Sequence, residues 1–162
     1  MKIGFRLNAN SKPPGGHQRF DNMTCSVIPK QKEKCVSLTC AGDLRLAEIT
    51  TAWREVQILL AELGWKRVLL DVTALQNNPD TADLFDLAKF FWRNFPKSGR
   101  MALVVRWDQS THAKLLEALL RSVGVCLTVF VSEETAEAWI TENYQNASNV
   151  SVGLVSENCG TI

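Results

Sequence analysis

The chain has 162 residues, of which 46% are hydrophobic, and this length and composition suit one globular domain. Its 18 basic and 17 acidic residues nearly cancel, which removes any general electrostatic reason to expect nucleic acid or an anionic membrane as a partner. No apolar run reaches the length of a membrane span, and no secretory segment is recognisable. We therefore expect no transmembrane segment and a cytoplasmic location.

The two ends of the chain differ from its middle. Residues 1–22 contain a Pro/Gly breaker cluster at positions 13–16 and are predicted to form a flexible arm. Residues 23–144 are predicted to hold the folded domain, and Met23 is a second candidate for the translation start because it precedes the first strand. Residues 145–162 form a polar tail, whose alternating run at 150–155 fits either a short edge strand or an unstructured end.

Strand-length apolar runs alternate with helix-length segments through the middle of the chain. Residues 24–28 and 34–41 flank a polar turn and predict an antiparallel pair. Residues 67–72, 101–105 and 126–131 each follow a helical segment, which favours crossover connections and parallel strands. The predicted fold is α/β: a mixed sheet of about five strands, the first antiparallel and the rest mainly parallel, with about four helices.

Five cysteines occur, and no pair has CxxC spacing or a His pair nearby to complete a zinc site. In the second strand, Val36, Leu38 and Cys40 share one face while Cys35 lies on the other. We therefore expect Cys40 to be a small core residue and the cysteines to be reduced, structural thiols. The five are Cys25, Cys35, Cys40, Cys126 and Cys159.

Capping residues and apolar periodicity predict where the helices begin and end. The first spans about residues 46–63, and Gly64 is suited to end it in the left-handed conformation. Pro79 suits the first position of the second helix. The predicted N-caps are Asn78 for the second helix, Asp108 or Ser110 for the third, and Ser132 for the short fourth. The predicted buried side of the third helix consists of His112, Leu115, Leu116, Leu119, Leu120 and Val123.

The second helix carries more aromatic surface than one contact with the sheet requires. Its predicted buried stripe consists of Leu84, Leu87, Ala88, Phe91 and Phe95. Phe85 and Trp92 flank this stripe, and Phe90 is predicted to project further away from it. Two interpretations stay open: the flank is a surface for a partner, or it is core covered by another part of the chain.

Signatures of catalysis are missing from the sequence. There is no GxGxxG, Walker, GxSxG or HExxH motif. The chain has two histidines, and one of them, His17, lies in the predicted arm, so a Ser-His-Asp or Cys-His site is hard to build. We expect a protein that is not an enzyme and that binds no cofactor or metal.

Polar side chains are expected to gather at the carboxyl ends of the parallel strands, where ligands bind in open α/β sheets. Near this edge the sequence places Asp71, Thr73, Asn77, Asn78 and Asp80, with Arg106 and Asp108 from the turn after the fourth strand. The cluster is either a binding site or a set of ordinary loop and cap hydrogen bonds, which Asn, Asp and Thr form routinely. The two interpretations stay open.

Four segments of the chain carry a family resemblance. They are residues 36–44 (VSLTCAGDL), 68–73 (VLLDVT), 101–105 (MALVV) and 129–140 (VFVSEETAEAWI). Together they resemble a STAS-type domain, specifically the SpoIIAA-like group of small bacterial proteins, over residues 36–142. The last segment, a strand ending in Phe130-Val131 and a capped short helix with Trp139, is the most specific of the four.

This resemblance implies a sheet with helices packed mostly on one face and a regulatory role. Anti-sigma-factor antagonists of the group are similar to one another in an Asp-Ser-Ser-Gly stretch at the start of the second helix, where a serine is phosphorylated. The matching residues here are Pro79-Asp80-Thr81-Ala82, so the usual serine is absent and Thr81 is the only hydroxyl. SpoIIAA-like proteins also resemble lipid-carrier domains in outline, which favours a small-ligand alternative.

Two functions from different classes follow. The first is a non-enzymatic regulatory or protein-interaction module that binds its partner through the start and flank of the second helix. A homodimer is a further alternative. The second is a domain that binds a small apolar ligand or lipid between sheet and helices. The candidate residues for either role are Asp71, Thr73, Asn78, Asp80, Thr81, Phe85, Trp92, Arg106 and Asp108.

Overall fold

The computed structural model describes residues 22–142. In chain order the elements are β1 (Thr24–Lys30), β2 (Cys35–Gly42), α1 (Leu46–Leu63), β3 (Arg67–Leu75), α2 (Thr81–Asn94), β4 (Arg100–Val104), α3 (Ser110–Ser122), β5 (Cys126–Phe130) and α4 (Glu133–Thr141). A 3₁₀ turn at Trp107–Gln109 precedes α3. Apart from Asn22, the predicted arm lies outside the described residues, as do the predicted tail, residues 150–155 and Cys159.

The strands stand in the order β1-β2-β3-β4-β5, with β1 and β2 antiparallel and the remaining pairs parallel. This confirms the predicted fold class. Parallel crossovers are almost always right-handed, so α1, α2 and α3, which connect successive parallel strands, fall on one face of the sheet. The remaining helix, α4, follows β5 and packs on the opposite face. Helices therefore cover mostly one face, as the resemblance implies.

The central strand β3 is buried on both faces. Val68, Leu69 and Leu70 are at most 5% exposed, as expected for a continuous apolar run inside a parallel sheet. Val68 and Leu70 face α1, α2 and α3, while Leu69 faces Ile140 of α4. Burial of each such side chain stabilises the fold by about 1.5–3 kcal/mol.

An aromatic cluster fills the contact between α1 and α2. Trp53 of α1 is fully buried, and its ring centroid lies 5.0 Å from that of Phe91 and 6.0 Å from that of Phe95. Phe90, expected to project away, instead packs edge-on against Trp53 at 6.3 Å. The prediction for Phe90 was wrong because helical periodicity on α2 does not show that α1 reaches over this side.

The start of α2 also differs from its prediction. Asp80, and not Asn78, is the N-cap: its side chain accepts a hydrogen bond from the Asp83 backbone N–H at 2.8 Å, and the Asp83 side chain accepts from the Asp80 N–H at 3.2 Å. A carboxylate three residues after the cap is needed for this reciprocal arrangement. Asn78 has Thr81 at that position, so it and Pro79 precede the helix.

Three further predictions, on the caps of the third and fourth helices and on the buried side of the third, differ from the structure. Gln109 occupies the N-cap position of α3, since Asp108 is held by Arg106 and the Ser110 hydroxyl donates back to the Trp107 carbonyl at 2.7 Å. Ser132 does precede α4, but its side chain makes no capping bond. Two residues predicted to be buried on the third helix, Leu115 and Val123, are exposed. The side chains of α3 that pack in the core are Ala113, Leu116 and Leu120.

At the end of α1, Gly64 adopts φ 66° and its N–H bonds to the Leu60 carbonyl, which confirms the predicted left-handed termination. None of the described helices is both long and apolar enough to cross a membrane. The cytoplasmic location stays a prediction.

Candidate functional site

The carboxyl end of β3 is irregular, and this shapes the candidate site. Thr39 of β2 pairs with Asp71, but Ala41 pairs with Ala74, so the pairing shifts by one residue opposite Cys40. At this irregularity the carboxylate of Asp71 bonds to a residue of its own strand. It accepts hydrogen bonds from the Thr73 N–H at 2.9 Å and the Thr73 hydroxyl at 2.7 Å. The two polar residues thus satisfy each other locally.

Arg106 ties this irregular end to the turn after β4. Its guanidinium donates to the backbone carbonyls of Thr73 and, at 2.7 Å, of Leu75. It also donates to both carboxylate oxygens of Asp108, at 3.0 and 3.1 Å, and this fork-to-fork contact with Arg106 holds the pKa of the exposed Asp108 below its usual value. The structure therefore brings together Asp71, Thr73, Arg106 and Asp108.

A residue that the sequence reasoning passed over completes this network. Gln109 is buried, its amide nitrogen donates to the Val72 carbonyl at 3.2 Å, and its amide oxygen accepts from the Arg106 N–H at 2.9 Å. Gln109 lies directly after an Arg-Trp-Asp turn at the end of a strand. This position in the sequence was the signal that could have identified Gln109 as part of the network. Because its hydrogen bonds serve the backbone, the network is a clamp that holds the loops in place.

The start of α2 forms a separate unit. Asp80 and Asp83 cap each other, Thr81 and Asn78 are exposed, and the Asn77 amide oxygen accepts from the Leu44 N–H at 2.7 Å. Within residues 22–142, no hydrogen bond or ion pair joins Asp80 or Thr81 to Arg106. The nine candidate residues therefore fall into the clamp, the α2 start and the outer flank of α2.

The outer flank of α2 carries large aromatic side chains in contact with solvent. Phe85 and Trp92 are 47% and 45% exposed, and a spacing of seven residues places them on one side of the helix, two turns apart. Between them Lys89 lies 3.7 Å from Asp86, both largely exposed. We call Phe85, Asp86, Lys89 and Trp92 the α2 flank. Its aromatics are neither fully buried nor fully free.

A further exposed aromatic lies beside the clamp. Trp107 is 81% exposed, and Val131, just after β5, is also exposed. Both follow the carboxyl ends of neighbouring strands. Trp107 lies between Arg106 and Asp108 in the turn after β4, and a single exposed apolar residue is ordinary on protein surfaces.

A small apolar cavity lies between the sheet and helices α1, α2 and α3, which cover one face of the sheet. Its volume is about 60 Å³, and its lining includes Ile49, Leu84, Phe91, Val105, Gln109 and His112. The Nδ1 atom of His112 is buried and has no hydrogen-bond partner among the described residues. Ligand pockets for drug-sized molecules span about 300–1,000 Å³, so this cavity is smaller than such a pocket.

The described part of the chain, residues 22–142, contains no group of three His, Cys, Asp or Glu side chains placed to hold a metal ion. Of the described cysteines, Cys25, Cys35 and Cys40 are free thiols. The remaining histidine, His17, lies outside the described residues. The clamp, the α2 start, the α2 flank and the cavity are therefore the features from which a function is argued.

Comparison with known proteins identifies the fold. No family model and no curated protein matches the chain. Among solved structures, an anti-sigma factor antagonist from Mycobacterium paratuberculosis matches with a TM-score of 0.55 at 13% identity, over 76% of this chain and 97% of that one. An uncharacterized DUF3478-family protein with a SpoIIAA-like fold, from Shewanella loihica PV-4, matches with a TM-score of 0.55 at 16% identity, over 78% and 99%. The chain thus has the SpoIIAA-like fold of STAS domains.

Proposed function

We propose that this chain is a non-enzymatic regulatory module that binds a protein partner through the start and the flank of α2. The observation that carries the proposal is the difference in exposure between the aromatic side chains of α2. Phe90 is packed against Trp53, while Phe85 and Trp92 stand half-exposed with charged residues between them. Aromatic anchors beside polar groups are typical of the residues that dominate binding energy in protein interfaces.

The likeness in fold to an anti-sigma factor antagonist supports this class of function. The exposed start of α2 extends the surface, and the clamp of Arg106 supports the neighbouring loop from behind. The proposal includes no phosphorylation step, since Asp80 and Asp83 already place two carboxylates at the helix start. A phosphate on Thr81 would be repelled by these neighbours.

The test is the double substitution Phe85→Ser with Trp92→Ser. A tagged variant should lose the partner that the unchanged chain captures from host lysate, and its unfolding free energy should change by less than about 1 kcal/mol because the side chains are half-exposed. The matched control is Ile58→Ser, which changes a somewhat more exposed apolar residue on α1 and should retain the partner. Loss of the partner in both variants, or a loss of stability of about 3 kcal/mol in the double variant as expected for buried aromatics, would refute the proposal.

A second candidate function is binding of a small apolar ligand in the cavity. The observation that favours it is the unsatisfied Nδ1 of His112 on an otherwise nearly apolar lining, since buried polar atoms in native proteins are usually hydrogen-bonded. The ligand would be a compact molecule of a few heavy atoms with one polar group directed at His112.

Native mass spectrometry of protein purified from its own host separates the candidates, because it shows a retained ligand, a partner or a homodimer directly. If a ligand is retained, Ala113→Leu should remove it by filling the cavity, while Ala118→Leu on the exposed side of α3 should not. Retention of the same mass by both variants would place the ligand elsewhere.

A further inference from the structure

The hairpin of β1 and β2 places two cysteines face to face. Cys25 pairs directly with Cys40 across the antiparallel strands, and their sulfur atoms lie 3.4 Å apart. Residues directly opposite each other in an antiparallel pair have Cα atoms about 4.5–5.5 Å apart, which lies inside the range that a disulfide spans. Strand pairing therefore holds the two residues at a separation that a disulfide can span.

The two thiols differ in accessibility, and this sets an order of reaction. Cys25 lies on the edge strand and is partly exposed, whereas Cys40 is fully buried. The hydrogen bond from Cys40 lowers the pKa of Cys25. The pKa of Cys40 is raised by the same hydrogen bond and by burial. An incoming reagent would therefore meet Cys25 first, as the more accessible thiol and the one that ionises more readily.

The other described cysteines have different surroundings. Cys35 lies on the opposite face of β2, beneath α4, and Cys126 lies on β5 at the far edge of the sheet. Of the described cysteines, Cys25 and Cys40 are thus the two whose strand register makes them direct neighbours.

We propose that Cys25 and Cys40 form a dithiol that a low-molecular-weight disulfide, such as oxidised glutathione, converts to an intramolecular disulfide. In the first step the Cys25 thiolate attacks one sulfur of the reagent, which forms a mixed disulfide and releases one thiolate. In the second step Cys40 gives up its proton and attacks the Cys25 sulfur, which releases the second thiol. Two protein thiols lose two electrons in total, and the reagent disulfide is reduced to two thiols.

The position of the pair gives the reaction a structural consequence. Cys40 lines the cavity and stands opposite the shift in the β2–β3 pairing that positions Asp71 and Thr73. A disulfide would fasten the edge strand β1 to β2 at this point and remove one thiol from the cavity wall. The inference rests on strand geometry and not on the proposed partner or ligand.

The experiment uses the full chain. Reduced protein is incubated under native conditions with oxidised glutathione, the remaining thiols are alkylated, and tryptic peptides are analysed by mass spectrometry. Cleavage after Lys30 and Lys34 places Cys25 and Cys40 on separate peptides, so a bond between them appears as a linked pair. We expect two of the five thiols to be lost, with fragment spectra locating the bond at Cys40 and not at Cys35.

Two variants test the order of the steps. Cys40→Ser should accumulate a glutathione adduct on Cys25, since the resolving thiol is missing, and Cys25→Ser should leave Cys40 unmodified. The second variant changes the partly exposed residue, so it remains informative if the buried Cys40→Ser variant fails to fold. A stable adduct on Cys25 of the unchanged chain, full alkylation of both thiols, or a dominant link to another cysteine would overturn the proposal.

Discussion

The Arg106 guanidinium donates a hydrogen bond to the backbone carbonyl of Leu75 at 2.7 Å, although the two residues are 31 positions apart. The same side chain bonds the Thr73 carbonyl and the carboxylate of Asp108. It therefore fastens the end of β3 to the turn that begins α3. Arg106, which follows the neighbouring strand β4, thereby holds the loop between β3 and α2 in place.

Replacement of Arg106 by Met should lower the free energy of unfolding by about 1–2 kcal/mol, because two carbonyls lose a charged donor and the side chain is only partly exposed. Urea denaturation measures the change. The matched control is Asp108→Asn, whose carboxylate is exposed and whose loss should lower the stability clearly less than Arg106→Met does. Equal losses in the two variants would show that the ion pair, and not the contact with the carbonyls, stabilises the loops.

The N-cap of α2 can be tested against Asn78, the residue that the sequence predicted as the cap. Asp80→Ala should cost about 1 kcal/mol, since the Asp83 N–H loses its acceptor. Asn78→Ala should cost less than about 0.5 kcal/mol, because Asn78 is exposed and lies before the cap. Thermal unfolding followed by circular dichroism measures both. A larger loss for Asn78→Ala would contradict the assignment of Asp80 as the cap.

Because the thiol of Cys35 is buried, we expect the free energy of unfolding to fall at alkaline pH. Burial raises its pKa from 9.0 to about 11, so the unfolded chain releases this proton at a lower pH than the folded chain. The stabilising contribution is complete below about pH 9 and is lost as the pH rises through about 11, by roughly 2.7 kcal/mol in total.

Urea denaturation at a series of pH values from 8 to about 11 measures this decline. The Cys35→Ala variant should show a shallower fall than the unchanged chain, since it has no thiol to titrate at this position. Parallel curves for the two proteins would mean that other groups cause the alkaline loss.

Residues 1–22 are predicted to be dispensable for folding, since their Pro/Gly-rich, polar composition cannot offset the entropy of ordering. A chain that begins at Met23 should melt within a few degrees of the full chain. Met23 itself is buried and its sulfur accepts a hydrogen bond from the Arg45 N–H at 3.3 Å, so the full chain with Met23→Ser serves as the control and should melt clearly lower. A large loss on removal of residues 1–22 alone would show that the arm stabilises the domain.

Local patterns in the sequence were sufficient to locate the strands and both ends of α1. The run at Val68–Leu70 is apolar without interruption because both of its faces are covered, and Gly64 ends α1 because it tolerates a positive φ. The alternation of these elements predicted the α/β class. The start of α2 was misplaced, although the spacing of Asp80 and Asp83 was readable as a reciprocal cap.

The tertiary structure alone decided which side chains meet. Phe85 and Phe90 belong to one helix and have the same chemistry, but only Phe90 is covered, because Trp53 approaches from α1. Arg106 reaches the Leu75 carbonyl, and Cys25 faces Cys40, because of strand register and loop packing. Periodicity reports which side of an element is apolar. It carries no information on which distant element covers that side, since this depends on how the whole set of elements packs.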